Sequence, residues 1–269
     1  LSNAGQSWIM TGFKNSNYSA NAINSKYQLP EIIAPNGNNE RVTIREASLK
    51  DVERIHAIEV EVWGQKNAAS INQISSRIDA FPSGNLVAEA DNNILGYSSF
   101  ILTNFDRFAN NSEKDWYSIT DNGYVSNHNP HGKDLFGINF TVHPKAPRSS
   151  FRLLILAIAK RGIECKVRRY MLGSRIPSYH KYCDTMSVEE YVHAKTSSGN
   201  YLDPELCLYR KKGLKVIDIV PGFFKDPDSK DYGVIVKQDN PFYRMPYRMF
   251  SSFITHLPLN TVRLIDRFQ

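Results

Sequence analysis

The chain has 269 residues, 41% of them apolar, which is enough for one large domain or one domain with long tails, and a net charge of +6. Its basic residues are scattered, with local groups only at 166–169 and 210–215, so the charge argues against a nucleic-acid surface and suits an acidic small molecule or an acidic carrier domain. No apolar run approaches the roughly 20 residues that span a bilayer, no signal peptide is visible, and three cysteines (Cys165, Cys183, Cys207) without paired spacing argue for a reducing, cytoplasmic compartment. The start Leu-Ser-Asn-Ala, lacking a methionine, reads as a piece excised from something longer.

Residues 1–40 are rich in Asn, Ser and Gly and read as linker or adaptor, with 8–10 and 27–29 as apolar patches that could dock. A domain over 41–238 opens with a strand at 41–46. Ser48 begins a Ser-x-x-Asp cap for a helix whose buried stripe is Val52, Ile55, Ile58 and Val62, ending near Trp63-Gly64. A shorter helix is expected over 72–80. Strands at 86–90 and 94–102 meet at Asp91-Asn92-Asn93, residues that tolerate the left-handed geometry of a hairpin turn. Residues 103–135 form a long polar, aromatic-bearing insertion, the kind of loop that serves or covers a site.

Phe136, Ile138, Phe140 and Val142 alternate with smaller or polar residues, which predicts a strand with one face on the core. His143-Pro144 ends it, because proline has no amide hydrogen and pushes its predecessor out of helical geometry. Phe151, Leu154, Ile155 and Ile158 then repeat at helical spacing over about four turns. A short strand follows at 170–173, then a helix started by Ser187 and Glu190 at capping-box spacing. Strands at 215–220 and 232–238 close the domain, and 239–269 is a basic, aromatic tail with partial helical spacing at Phe250, Phe253, Ile254 and Leu257. His128 and His131 have no cysteine or carboxylate set beside them, so no metal site is expected.

The strand, Val-His-Pro corner, arginine and helix resemble the acyl-CoA-binding core of the GNAT superfamily of acyltransferases. Arg175-Ile176-Pro177-Ser178-Tyr179-His180-Lys181-Tyr182, followed by Met186-Ser187-Val188-Glu189-Glu190-Tyr191, narrows the resemblance to the GNAT-like domains of polyketide synthase loading modules and to GNATs fused to nitrilase-type amidohydrolases. Asp203 to Leu214 is similar to the superfamily's closing motif, with leucine in place of the usual aromatic residue. The resemblance implies an α/β (α+β) fold: a mixed, mostly antiparallel central sheet of about six to seven strands flanked by helices on both faces. It also implies a coenzyme A thioester or a carrier protein's phosphopantetheine as the bound group, held by Thr141, Val142, Arg148, Ser149, Ser150 and Arg152. The turn departs from the family pattern. Arg148-Ser149-Ser150-Phe151-Arg152 contains none of the glycines that let backbone approach a pyrophosphate, and Pro147 removes one amide donor.

Acyl transfer from a thioester needs a polarised carbonyl, donors for an oxyanion and a proton for the departing thiolate. By resemblance, backbone amides near Thr141 and Val142 face the carbonyl, and Tyr209 is the proton donor to sulfur. His180 would act as base or donor, Thr141 would help hold an enolate and Arg175 would bind a departing carboxylate, while Trp63, His143 and Tyr179 line the substrate pocket. Each has a plain structural alternative: a core tryptophan, a histidine serving the corner, a half-buried tyrosine, a histidine tying down its loop. The implied function is decarboxylation of a malonyl-type thioester, S-acyl transfer to a carrier protein, or both, with an acyl carrier protein or neighbouring synthase domains as partners and neither nucleic acid nor membrane. An acyl-CoA-dependent amine N-acyltransferase, and an inactive scaffold domain that keeps only the fold, remain open beside it.

Overall fold

The computed structural model describes residues 32–33, 41–110 and 113–243. The patches expected at 8–10 and 27–29 and the helical spacing expected at 250–257 lie outside the described residues. The strands are β1 (Ile32–Ile33), β2 (Arg41–Glu46), β3 (Asn85–Ala90), β4 (Asn93–Thr103), β5 (Asp134–Val142), β6 (Arg169–Ser174), β7 (Lys215–Val220) and β8 (Gly233–Asp239). They form one sheet in the order β1-β2-β3-β4-β5-β6-β8-β7, antiparallel throughout except for β5 and β6. Seven full strands match the expected mixed, mostly antiparallel sheet. The eighth is a two-residue edge, too short to carry an alternation signal.

Helices cover both faces. On one side, α1 (Val52–Trp63) and α2 (Ile71–Ala80) bury Ile55, Ile58, Ile74 and Ile78 against Val87 and Tyr97. On the same side, α3 (Asp106–Asn110) and α4 (Trp116–Thr120) cover Ile101, Phe136, Met171 and Ile235. On the other side, α5 (Arg148–Glu164) packs on Leu86, Phe100 and Leu135, while α6 (Val188–His193) and α7 (Pro204–Lys211) pack on Val234 and Val236. The insertion at 103–135 is thus structured, with α3 and α4 inside it. Asp121, Asn122 and Gly123 follow α4 in left-handed geometry, and Arg77 Nε–H donates to the Gly123 carbonyl at 2.8 Å.

Local chemistry sets the ends. At Ser70, Oγ accepts from the Gln73 amide and Gln73 answers to the Ser70 amide; Ser187 and Glu190 make the same reciprocal pair before α6. Asp91 and Asn92, at φ 49° and 59°, form the two-residue turn between β3 and β4. Asp134, 0% exposed, opens β5 and accepts from Arg168 Nε and Arg169 Nε, both at 2.8 Å, and from the Phe105 amide at 2.9 Å.

Two expectations need correction. The apolar alternation of β5 does not lie on one face: Ser99 faces Asn139 and Phe100 faces Gly137, so Ile138 is an extra residue, a bulge. Phe136 therefore packs toward α3 and α4, whereas Phe140 and Val142 pack toward α5. On α5 the buried residues are Ser149, Ser150, Leu153, Leu154, Leu156, Ala157, Gly162 and Ile163, while Ile155 is 41% exposed. Serine and alanine allow close approach to the sheet and so turn the helix away from the stripe that counting large apolar residues predicts.

Candidate active site

The strand pair β5 and β6 meets only from Asp134 to Gly137, opposite Arg169 to Leu172. Beyond that point β6 stays with β8 through Ser174, and β5 stays with β4 through Val142. The strands part, and among the described residues no strand pairs with the 138–142 edge of β5 on its β6 side. A backbone edge of this kind offers hydrogen bonds to an extended, amide-bearing ligand, as in strand addition.

Thr141 stands on that edge, its side chain toward α1, and is fully buried. Its hydroxyl is engaged twice: Trp63 Nε1–H donates to Oγ1 at 2.7 Å, and Oγ1–H donates to Asn139 Oδ1 at 2.9 Å. Asn139 Nδ2 donates in turn to Glu59 Oε1, and the Ala69 amide donates to Glu59 Oε2 at 2.7 Å. The Trp63 end fixes the direction of this chain, because an indole N–H only donates. Burial raises the Glu59 carboxyl above its usual value, opposed by Arg77 and by the Ala69 amide. As arranged, Thr141 has no proton left for a substrate oxygen.

His143 lies at the corner: Nδ1 accepts from the Lys145 amide at 3.1 Å, and Nε2 meets Glu61 at 2.7 Å. It serves the turn. Past it, α5 begins at Arg148 after Pro147, and the Ser150 amide is drawn to the Pro147 carbonyl. The Arg148 and Ser149 amides belong to the first turn, which has no preceding carbonyls to use, and Arg148 and Lys145 are exposed beside them. The Ser149 and Ser150 hydroxyls are buried without a hydrogen-bond partner. Arg152 is half-buried, and Phe151 turns its ring edge-on to Phe140, 5.1 Å away, on the α5 side of the open edge.

The remaining expected residues lie on the connection after β6 and on α7. Arg175 is held by Asp226 through Nε at 2.8 Å and Nη2 at 2.7 Å, so its fork already grips a carboxylate of this chain. His180 is exposed, with Nδ1 2.8 Å from the Pro177 carbonyl, which ties its own loop. Tyr179 is buried and its hydroxyl donates to the Met186 carbonyl at 3.3 Å. Tyr209 is half-buried on α7, on the face of the sheet opposite Thr141. Burial, with Glu205 and Asp203 nearby, holds its phenol well above its ordinary value. Thus Trp63 and Thr141 flank the opening from one face, while Tyr209, Val142 and the α5 start lie on the other.

Three residues of this region were not anticipated: Glu59, Asn139 and Glu205. Asn139 had one signal, a polar residue two places before Thr141 and hence on its face. Glu59 sits inside the apolar stripe of α1, where a carboxylate is out of place unless partnered. Glu205 lies one turn before Tyr209 on α7. Burial pushes its carboxyl up to about 8, with Arg175 opposing and Asp203 and Asp226 adding to the rise. Among the described residues, no group of three or more His, Cys, Asp or Glu side chains could hold a metal ion, and no helix is long and apolar enough to cross a membrane.

A parted strand pair with a bulge, leading into a long helix that packs on the sheet, is the feature of this α/β fold that the comparisons bear on. No protein-family profile matches the chain. It is similar to two proteins of Bacillus subtilis (strain 168). With the probable hydrolase YhcX it shares 30% identity over 206 residues, 76% of this chain and 40% of YhcX. With the uncharacterized N-acetyltransferase YkwB it shares 29% over 210 residues, 76% of this chain and 92% of YkwB. The chain thus spans two-fifths of the length of the first relative. Among solved structures, the loading GNATL domain of CurA from Lyngbya majuscula superposes with TM-score 0.64 over 74% of this chain and 98% of that domain, at 22% identity. The GphF GNAT-like decarboxylase, solved with isobutyryl-CoA, superposes with TM-score 0.60 over 73% of this chain and 98% of that one, at 24% identity. The likeness to these two structures shows the GNAT fold.

Proposed function

We propose that this is a GNAT-like domain of the polyketide-synthase loading type, which takes a malonyl-type acyl thioester on coenzyme A or on a carrier protein's phosphopantetheine and decarboxylates it, passes the acyl group to a carrier thiol, or both. The observation that carries the reading is the open 138–142 edge of β5, with Thr141 and Trp63 on one side and Tyr209 on the other. A pantetheine arm is extended and carries two amides, so it can pair with that edge. Its diphosphate would meet the Arg148 and Ser149 amides and the exposed cations Lys145 and Arg148, a weaker cradle than a glycine turn. The likeness to CurA's loading domain and to the GphF decarboxylase supports the same reading.

Within it, the edge amides hold the thioester carbonyl and its developing oxyanion, and water is kept from that carbonyl on one side by the Trp63 indole. Tyr209, its proton held firmly, faces the sulfur. The Arg175 guanidinium grips Asp226, and His180 ties its own loop through Nδ1, which leaves its Nε2 to serve as base or donor. Incubation with malonyl-CoA and with malonyl-carrier protein, followed by mass spectrometry, tests the proposal; intact malonyl thioester and an unacylated carrier would overturn it. The likeness to YkwB favours a second reading, amine N-acylation. Acetyl transfer to amines with no action on malonyl thioesters would select it, and failure to bind any coenzyme A thioester would leave the fold as scaffold.

A further inference from the structure

Glu59 and Trp63 stand one turn apart on α1, and Asn139 and Thr141 stand two places apart on β5, so each pair shares a face and the two pairs meet. Trp63 Nε1–H donates to Thr141 Oγ1, Thr141 Oγ1–H to Asn139 Oδ1 and Asn139 Nδ2 to Glu59 Oε1, while the Ala69 amide donates to Glu59 Oε2. An indole N–H cannot accept, so the bond that Thr141 receives from Trp63 is invariant. The Asn139 amide has a donor end and an acceptor end of nearly the same shape and can be turned over in place. Glu59 decides which way it lies. A carboxylate offers only lone pairs, so Nδ2 faces it and Oδ1 takes the Thr141 proton. A carboxylic acid can donate; Oδ1 then faces Glu59, and Nδ2 donates to Thr141 Oγ1. The hydroxyl has two lone pairs, one for Trp63 and one for Asn139, and its own proton is released toward the open edge.

We propose that Glu59, acting through Asn139, is a proton-operated switch that decides whether the Thr141 hydroxyl donates to a thioester bound at the 138–142 edge. The inference rests on the decarboxylation reading above. When the malonyl carboxylate leaves as carbon dioxide, the electron pair of the broken C–C bond passes into the thioester as an enolate, which then takes a proton from water at carbon. With Glu59 protonated, the enolate oxygen receives the Thr141 hydrogen bond beside those of the edge amides; with Glu59 ionised it receives only the amides. Glu59 and Asn139 are positioning residues, since both act through Thr141. The titratable and charged groups facing Glu59 are His56 on its own helix, Arg77 on α2 and Tyr97 on β4. Each is engaged elsewhere: His56 Nδ1 lies 2.7 Å from the Ala69 carbonyl, Arg77 Nε–H donates to the Gly123 carbonyl and the Tyr97 hydroxyl to Asn85. Glu59 is 1% exposed, and burial outweighs Arg77 and the amide donors and raises its carboxyl, so the switch turns at a higher pH than a free carboxylate would.

The test compares wild type with Glu59→Gln in the full chain. Glutamine keeps an oxygen for the Ala69 amide and turns an NH2 toward Asn139 Oδ1, so it holds Thr141 in the donating state at every pH. Release of carbon dioxide from malonyl-CoA is followed between about pH 5 and 9. Glu59→Gln should approach wild type at the acid end and exceed it by about tenfold at the alkaline end, part of the roughly 100-fold that one oxyanion donor is worth. Damage to the fold does not produce such a gain. On a Thr141→Val background the substitution should bring none. In 15N spectra the Trp63 indole proton, assigned with Trp63→Phe, should shift with pH in wild type, because a hydroxyl that donates is the better acceptor, and stay fixed in Glu59→Gln. An indole that ignores pH in wild type, or a Glu59→Gln rate at or below wild type at the alkaline end, overturns the switch alone. No carbon dioxide from either protein overturns the decarboxylation reading, and the switch's part in it, whatever the indole does.

Discussion

Thr141→Val replaces the hydroxyl at the open edge with a methyl of nearly the same volume. The change removes two hydrogen bonds, the one received from Trp63 and the one given to Asn139. Each such bond has a net worth of about 1 kcal/mol, with more lost when a buried partner is left unsatisfied. Trp63 and Asn139 are both half-buried, so water can recover part, and the sum is about 2 kcal/mol. At about 2 to 4 °C per kcal/mol for a domain of this size, the midpoint of thermal unfolding should fall by about 4 to 8 °C. Thr141→Ser keeps both bonds and loses one methyl, about 0.8 kcal/mol. Urea denaturation of wild type, both variants, Trp63→Phe and the Thr141→Val/Trp63→Phe double variant checks the assignment, with a coupling of about 1 kcal/mol expected between Trp63 and Thr141. If the serine variant is less stable than the valine variant, the hydroxyl is not engaged as described.

Asp226→Asn cancels the charge that holds Arg175 and should cost about 2 to 3 kcal/mol at pH 7, the low side for a broken buried pair because Arg175 is a quarter exposed. Burial by itself would raise the Asp226 carboxyl, but the Arg175 and Ser229 hydrogen bonds outweigh it and hold it below the usual carboxylate range. Its contribution is therefore present above about pH 4 and lost as pH falls through the folded value, so the gap between wild type and variant in urea melts should close toward pH 2 to 3. Glu59 runs the other way. Its raised carboxyl stabilises the fold most below about pH 4 and less as pH rises, so Glu59→Gln should gain on wild type between about pH 4 and 7; a gap that does not change with pH would refute this.

The secondary structure was legible wherever a signal is local. The Asp91-Asn92 turn, the Ser187–Glu190 cap and the proline corner after His143 each depend on residues within four positions of one another, and each is present. What lay hidden depends on partners far apart in the chain. The grip of Asp226 on Arg175 spans 51 residues, and that of Asn139 on Glu59 spans 80. The bulge at Ile138 is invisible because Phe136, Ile138, Phe140 and Val142 keep a perfect alternation while the backbone skips a place. The face of α5 was misjudged because small residues, not large ones, mark its contact with the sheet. The identity of the parting strand was readable from its corner, but the commitment of Arg175 and Thr141 to internal partners required the assembled fold.

The seam between the two halves of the sheet is sewn for only four residue pairs, and Asp134 is the rivet at its closed end, clenched by Arg169 at the start of the neighbouring strand and by Arg168 just before it. A V-shaped slot is only as steady as its vertex. With that point pinned by a fully sheltered carboxylate, the splay of the two strands beyond Gly137 opens from a fixed hinge line rather than from a loose one.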